Sequence, residues 1–201
     1  ILKQEEKSLL IANRKTQTWE FTSTEKVKKK YDFSLRAIHV LDSITYVAYR
    51  KQLIGFKNNK VIIDFREKFG FSELTYCINS FNERIYIGTQ NGLYEYKIDT
   101  LINLGKSYPI FKNRISGLVN LNNERLVIST LGQGVTFVDK NFNCINLGES
   151  EGLPDNMING MYYDEENNEL WSYSNSGLTE YILPFIDNSI ELNNTTYLDG
   201  L

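Results

Sequence analysis

The chain has 201 residues, of which 41% are hydrophobic and 23% are charged, the balance of an ordinary globular protein. Its net charge is −3, so it lacks the basic surface on which nucleic-acid binding depends. No apolar run approaches the roughly 20 residues that span a bilayer. Ile1 begins without the basic start and apolar core of a signal peptide, so we expect a processed or excised segment.

Two-stranded hairpins recur along the chain at a step of about 40 residues, the length of one structural repeat. Each reads as two β-branched or aromatic stretches separated by a polar turn that carries Gly or amide residues. In chain order, the hairpins begin at Leu9, Ile44, Arg84, Arg125 and Glu169. A period of this size is typical of a solenoid, a propeller or an array.

Further strands flank these hairpins on both sides. Inner strands that precede a hairpin are predicted near 35–41, 75–81, 115–121 and 158–163. Shorter strands that follow a hairpin read KVIIDF, CINL and SIELN. No 3.6-residue apolar periodicity extends beyond about two helical turns. The pattern therefore predicts an all-β protein, a β-propeller whose blades are four-stranded antiparallel sheets.

The predicted propeller is incomplete. It divides into about five blades, with approximate bounds 1–33, 34–73, 74–113, 114–153 and 154–201. The closing YLDGL resembles the GESEGL that introduces the preceding unit, so we expect a fragment of a seven-bladed ring, with a closed five-bladed ring as the alternative. Because an open ring exposes two apolar blade faces, we expect this segment to dimerise or swap.

The segment EGLPDNMINGMYYDEENNELWSYSNSGLTEY, 151–181, resembles the two-component regulator propeller repeat. That repeat reads approximately Gly-Leu-Pro-Ser-Asn, a strand, Asp-x-x-Gly-x-Leu-Trp and a Thr-x-x-Gly-Leu turn. The matching residues are Gly152, Leu153, Pro154, Asn156, Asp164, Leu170, Trp171, Gly177 and Leu178.

The expected roles of these motif residues are structural. Pro154 fixes φ before the inner strand, and Asn156 closes the turn by bonding its own backbone. Trp171 is a large apolar wedge between blades, and Gly177 permits a tight hairpin. The motif is therefore evidence for the fold and is silent on the ligand.

The resemblance implies the periplasmic sensor part of a membrane-bound regulator, often a hybrid histidine kinase in Bacteroidetes-type bacteria. Such sensors commonly detect oligosaccharides from polysaccharide breakdown, and a membrane helix and a signalling module usually follow. We therefore expect a non-enzymatic sensor domain without a cofactor, which binds a glycan fragment and works as a homodimer in the full-length protein. The alternatives are a protein-interaction scaffold and a glycan-cleaving propeller enzyme.

The residues that carry chemistry are sparse. His39 is the only histidine and has no neighbouring Ser or Cys, so we predict that it lines the channel or is satisfied, and that no residue is catalytic. Cys77 and Cys144 form no metal-binding spacing, so we predict no metal site. Two buried free thiols are favoured, and a disulfide in an oxidising compartment is the alternative. A glycosidase would instead need two carboxylates facing each other across the channel.

Ligand-binding residues are expected on loops at one rim, because loops carry binding residues on a rigid scaffold. Amide, Arg and aromatic side chains suit sugar hydroxyls, sugar rings and carboxylates. The candidates from the turns between strands two and three are Arg14, Tyr49, Arg50, Gln90, Asn91, Gln133 and Asn175. Lys68, Phe69 and Phe71 are further candidates from a loop that leads into an inner strand.

Overall fold

The computed structural model describes residues 4–5, 8–13, 18–23, 35–49, 51–58, 60–186 and 189–196. Almost all regular structure in these stretches is β-strand, arranged in five antiparallel sheets in which strands consecutive in sequence pair with each other. The predicted all-β, propeller-like architecture is confirmed, and the sheets do not close into a barrel. None of the helices in the described stretches is long and apolar enough to cross a membrane.

The sheets are numbered here in chain order. Sheet 1 has three strands, β1 (Gln4–Glu5), β2 (Ser8–Asn13) and β3 (Thr18–Ser23). Sheet 2 has β4 (Leu35–Leu41), β5 (Ile44–Tyr49), β6 (Gln52–Lys57) and β7 (Lys60–Asp64). Sheet 3 has β8 (Thr75–Phe81), β9 (Arg84–Thr89), β10 (Gly92–Lys97) and β11 (Thr100–Asn103).

The last two sheets repeat the same order. Sheet 4 has β12 (Ile115–Leu121), β13 (Arg125–Thr130), β14 (Val135–Asp139) and β15 (Cys144–Leu147). Sheet 5 has β16 (Ile158–Asp164), β17 (Glu169–Ser174), β18 (Gly177–Ile186) and β19 (Ser189–Thr196). The predicted inner strands are β4, β8, β12 and β16, and each predicted hairpin forms the next two strands of its sheet.

The first strands of sheets 2 to 5 lie side by side. β4 contacts β8, β8 contacts β12, and β12 contacts β16. The side-chain amide of Asn79 donates to the Leu118 carbonyl at 3.0 Å, and that of Asn120 donates to the Ser80 carbonyl at 2.7 Å. These bonds join β8 to β12 across two sheets. The first strands therefore form the inner edge of the stack, as in the blades of a propeller.

The sheets pack face to face, and alternate residues of each strand serve the two faces. In β13, Leu126 and Ile128 pack towards sheet 3, in a cluster that includes Tyr86. Val127, between them in sequence, packs towards sheet 5, in a cluster that includes Tyr181. All three β13 side chains are 0% exposed. A central sheet is thus apolar on both faces and depends on its two neighbours for burial.

One short helix, α1 (Phe65–Phe69), follows β7. Asp64 caps it by accepting from the backbone N–H groups of Arg66 and Glu67 at 2.9 and 3.2 Å. Gly70 ends it with a φ of 68°. The helix turns Phe71 into the core at 4% exposure, so Phe71 is not available as the ligand-binding loop residue that the sequence suggested.

The motif residues before β16 tie two loops together. Leu153 is buried, and its N–H donates to the Gly148 carbonyl at 3.0 Å. The Asn156 side chain accepts from the Glu149 N–H at 3.0 Å, and its carbonyl accepts from the N–H groups of Gly132 and Gly134. Asn156 therefore joins the loop to the preceding sheet. The sequence instead predicts a bond from its side chain to its own backbone.

The remaining motif residues shape the turns of sheet 5. Gly152 has a φ of 106° and ends a short 3-10 helix, and Pro154 follows it in the loop before β16. The Asp164 carboxylate accepts from the backbone of Glu166 and Asn167 at 2.9 and 3.2 Å and so closes the β16–β17 turn. Trp171 is half-buried, on the face of sheet 5 that no described sheet covers.

Both cysteines are free, as predicted, but Cys77 is only half-buried and Cys144 is exposed. The Cys77 thiol packs against Gly88, and burial raises its pKa to about 12. Cys144 is exposed, at the first position of the outermost strand β15. The prediction that Cys144 is buried is therefore wrong, because apolar strand text does not distinguish a packed strand from an outer edge strand.

Candidate functional site

Each inner strand carries the same irregularity at its second residue. The pairing register between first and second strands slips between Leu35 and Ala37, Thr75 and Cys77, Ile115 and Gly117, and Ile158 and Gly160. Such a β-bulge leaves one residue unpaired and re-aims its side chain. The four unpaired residues, called the bulge row here, are Arg36, Tyr76, Ser116 and Asn159.

The bulge row is polar, and each side chain is exposed or half-buried. Three of them bond to the end of the neighbouring second strand or its turn. Tyr76 donates to Gln90 at 2.8 Å, Asn159 donates to Asn175 at 2.9 Å, and the Ser116 hydroxyl lies 2.9 Å from that of Ser129. The row thus joins the inner edge of the stack to the rim formed by the hairpin turns.

Arginine side chains from the two adjacent sheets meet at Tyr76 of the bulge row. The guanidinium carbon of Arg114, one residue before β12, lies 3.8 Å from the centroid of the Tyr76 ring. That of Arg36, in β4, lies 5.3 Å from the same centroid. Both distances are within the range of a cation–π interaction. Three consecutive sheets therefore place two cations and one aromatic ring together on the inner edge.

A groove of about 470 Å³ lies at the opposite end of the same inner strands. It is called the asparagine groove here, and its lining comprises His39, Asn79, Ser80, Leu118, Val119, Asn120, Asn122, Asn123, Tyr163 and Glu165. Its amides are largely engaged in the structure: Asn122 donates to the Tyr163 hydroxyl at 2.8 Å, in addition to the bonds of Asn79 and Asn120 between sheets. The groove therefore has a structural function as a seam between sheets.

His39 lies on β4 and contributes to the asparagine groove. Its Nε2 atom is buried and has no hydrogen-bond partner among the described residues. Burial lowers the pKa of the imidazole, so the neutral form is favoured at pH 7. Ser80 also lines the groove, but the His39 Nε2 atom makes no hydrogen bond to it, so the two do not form a nucleophile–base pair through Nε2.

The predicted rim residues divide into four groups. Gln90 and Asn175 join the bulge row through the bonds to Tyr76 and Asn159. Asn91 and Gln133 are exposed on the same rim, and the Asn91 amide donates to Glu73 at 2.8 Å. Tyr49 is 3% exposed and packs with Val47 and Ile54, so its side chain is in the core and not at the surface. Arg14 and Arg50 lie outside the described residues.

Sequence reasoning missed Arg36, Tyr76 and Arg114. The bulge that exposes Arg36 and Tyr76 shifts the inside–outside alternation by one residue, and the pattern within a single strand does not show such a shift. Aligning the four inner strands at their first residue would have revealed the signal, because their second residues are Arg36, Tyr76, Ser116 and Asn159, none of which is aliphatic.

The carboxylates around the motif are mostly committed to turns. Glu149 accepts from the Asn156 N–H at 3.1 Å, Glu151 from the Gly148 N–H at 2.8 Å, and Asp155 from the Met157 N–H at 2.8 Å. The Ser150 hydroxyl, which donates to Glu151 at 2.8 Å, and the Gly148 N–H hold the pKa of the Glu151 carboxyl below its ordinary value. Among the described residues, no three His, Cys, Asp or Glu side chains cluster as metal ligands.

No protein-family model and no curated protein matches this chain. Solved structures do resemble it. The extracellular domain of BT4673 from B. thetaiotaomicron, assigned to a hybrid two-component system, is 17% identical with a TM-score of 0.64; the match covers 97% of this chain and 26% of that one. For the extracellular domain of BT3049, assigned likewise, the identity is 13% and the TM-score 0.56, with 100% and 35% covered.

A computationally designed protein, Ika8, is also similar, at 12% identity and a TM-score of 0.58, with 90% of this chain and 57% of that one covered. Likeness at such identities establishes the fold. The chain spans about a third or less of the two extracellular domains. These natural neighbours belong to the class of protein that the motif at 151–181 resembles, so motif and fold agree.

Proposed function

We propose that this chain is part of a periplasmic, ligand-sensing propeller of a two-component regulatory protein. Its role is to bind an oligosaccharide without cleaving it and to signal to a C-terminal kinase or regulator, as a homodimer in the full-length protein. The neighbouring structures are extracellular domains of hybrid two-component systems, which supports the location and the sensor role. The motif at 151–181 supports the same class independently.

One observation in the chain itself carries the proposal: the repeated bulge that lines up polar side chains from four consecutive sheets. A bulge interrupts pairing, and bulges are frequent beside functional sites, where they re-aim a side chain. Here the bulged residues Tyr76 and Asn159 bond to Gln90 and Asn175, so these two amides lie beside the row. Side-chain amides suit sugar hydroxyls. We place the oligosaccharide along the bulge row.

A thermal-shift screen of the 201-residue chain against neutral and acidic oligosaccharides tests this proposal. A ligand that binds only the folded state raises the melting temperature, by an amount that grows with the ratio of the ligand concentration to its Kd. We expect the shift to shrink in Gln90→Ala and Asn175→Ala. Asn141→Ala is the matched control, because it removes an exposed amide from the β14–β15 turn. A screen in which no oligosaccharide raises the melting temperature would refute the sensor role assigned to this chain.

A further inference from the structure

Arg36 and Arg114 lack a counter-charge in the described part of the chain. The ion pairs found there join Lys68 to Asp99, Arg84 to Glu95 and Lys140 to Glu124, and neither of the two arginines takes part. The chain as a whole carries a net charge of −3, so two unpaired cations meeting on one ring are a local feature. Both guanidinium groups contact the same ring, so an anion that binds beside the ring is attracted by both charges.

The carboxylates of the same rim are already occupied. Glu73 accepts from the Asn91 amide at 2.8 Å and contacts the Tyr94 hydroxyl at 3.4 Å. Asp155 accepts from the Met157 N–H at 2.8 Å and from the Ser176 hydroxyl at 3.3 Å. Neither carboxylate is bonded to Arg36 or Arg114. The N–H donors of the two arginines therefore remain available to a bound ligand.

Arg114 is held in place and is incompletely satisfied. Its guanidinium stacks at 3.8 Å over a ring whose hydroxyl is itself bonded to Gln90, which fixes the platform. Its Nε atom is buried, without a hydrogen-bond partner among the described residues.

The chemistry of a stacked guanidinium selects the ligand group. Stacking uses the face of the guanidinium and leaves the N–H donors at its edge free. That edge matches the two oxygens of a carboxylate, which it binds through two parallel hydrogen bonds. A second guanidinium, from Arg36, strengthens the attraction and adds no competing acceptor, because arginine has only donors.

We propose that Arg36 and Arg114 form a carboxylate-binding subsite, with Tyr76 as the residue that positions Arg114, and that the ligand is an acidic, uronate-containing oligosaccharide. This inference rests on the proposed oligosaccharide-sensing function and narrows its substrate class. The sugar carboxylate occupies the edge of the two guanidinium groups, and the neighbouring sugar units extend along the bulge row towards Ser116 and Asn159.

The test is calorimetric titration of the 201-residue chain with matched pairs of oligosaccharides. Oligomers of galacturonate, of glucuronate and of mannuronate–guluronate are each compared with their carboxyl-reduced, neutral counterparts. At least one acidic oligomer is expected to bind roughly tenfold or more tightly than its neutral counterpart, the difference that a charge-assisted hydrogen bond supplies. The preference is expected to weaken as salt is raised, because exposed charges are screened.

Variants assign the preference to residues. Arg36→Ala and Arg114→Ala are expected to remove it, whereas Arg66→Ala, which deletes an exposed arginine on α1, leaves it unchanged. Tyr76→Phe keeps the ring and is expected to retain most of the preference, and Tyr76→Leu is expected to lose it. Circular dichroism of each variant separates loss of binding from loss of folding.

The outcomes are distinct for the two proposals. Neutral and acidic oligomers that bind equally would overturn the carboxylate subsite and leave the sensor function standing. Sulfated neutral oligomers that bind more tightly than all uronates would also overturn it, because the anion would not be a carboxylate. Failure of every oligosaccharide to bind would overturn the proposed function itself.

Discussion

Glu95 and Arg84 form an ion pair across two strands of sheet 3, with the carboxylate almost removed from water. Nη1 of Arg84 lies 3.1 and 3.0 Å from the two carboxylate oxygens, and Glu95 is 7% exposed. The Tyr86 hydroxyl donates to the same carboxylate at 3.1 Å. The three side chains therefore satisfy one another's hydrogen bonds, on the face of sheet 3 that packs against sheet 4.

Replacing Glu95 by Gln is expected to lower the free energy of unfolding by about 1–3 kcal/mol, since it leaves donors of Arg84 and Tyr86 poorly paired. Arg84 is partly exposed, which limits the loss. The matched control is Glu124→Gln, which breaks an exposed pair with Lys140 and is expected to cost about 0.5 kcal/mol or less. Urea unfolding measures both, and equal effects would contradict the buried role of Glu95.

Gly177 lies where the β17–β18 turn approaches β19. A Cβ atom there would be 2.2 Å from the Thr195 carbonyl oxygen, and φ is 149°. Gly177→Ala is therefore expected to cost about 2 kcal/mol or more, from the clash and the disfavoured φ together. Gly70→Ala is the matched control, because φ is 68° but no atom lies within 4 Å. Its expected cost is about 1 kcal/mol, and thermal unfolding compares the two variants.

The two thiols are expected to react at different rates. Burial raises the pKa of Cys77 to about 12, so almost no reactive thiolate exists at pH 8 in the folded state. Cys144 is exposed, although partial burial and Asp139 raise the pKa of its thiol as well. A thiol-reactive dye at pH 8 is expected to modify Cys144 first and Cys77 only on unfolding. Peptide mass mapping that finds Cys77 modified first would contradict the packing against Gly88.

Stability is expected to fall as pH drops below 6.5, the ordinary pKa of histidine, because burial lowers the pKa of His39 in the folded state. Between the folded and unfolded pKa values the unfolded chain binds more protons, so protonation favours unfolding. The stability that depends on neutral His39 is fully present above pH 6.5 and is lost as the pH falls below that value. Denaturant midpoints measured from pH 8 to 5 should show this loss of stability. The His39→Gln variant should show a weaker dependence of the midpoint on pH. An unchanged slope in the variant would assign the loss to other groups.

One face of sheet 5 is covered by no sheet in the described part of the chain. Tyr162 and Tyr173 are 65% and 50% exposed, on the same face as Trp171, whereas Val127 at the corresponding position of sheet 4 is 0% exposed against sheet 5. We expect the 201-residue chain to self-associate through this face. Tyr162→Ser with Tyr173→Ser is expected to shift it towards monomer in analytical ultracentrifugation. A monodisperse monomer of the unaltered chain would contradict the expectation.

The sequence allowed the strands to be placed closely, because alternation of apolar residues and Gly- or Asn-containing turns repeats in every unit. The inner strand predicted at 75–81 is β8, for example, to the residue. The site could be predicted only in part. Gln90 and Asn175 were placed on the rim because turn residues are recognisable in the sequence. Tyr49 was predicted in the turn, but β5 continues through Tyr49 and the side chain points into the core.

The bulge explains what the sequence concealed. One unpaired residue at the start of β8 exposes Tyr76 and leaves Thr75 and Ile78 buried, so alternation counted from either end gives conflicting faces. Arg114 lies in the loop before β12, where the sequence has no inside–outside alternation from which its position could be predicted. Its contact with Tyr76 arises only when sheets 3 and 4 stack, which is a property of the tertiary structure.

The central claim is that the ligand lies along the bulge row, and hydrogen–deuterium exchange of the chain, with and without its tightest-binding oligosaccharide, tests it most directly. Protection is expected at the starts of β4, β8 and β12, in peptides that contain Arg36, Tyr76 and Arg114. Protection confined to the asparagine groove, around Asn122 and Tyr163, would place the ligand at the other end of the inner strands and contradict the claim.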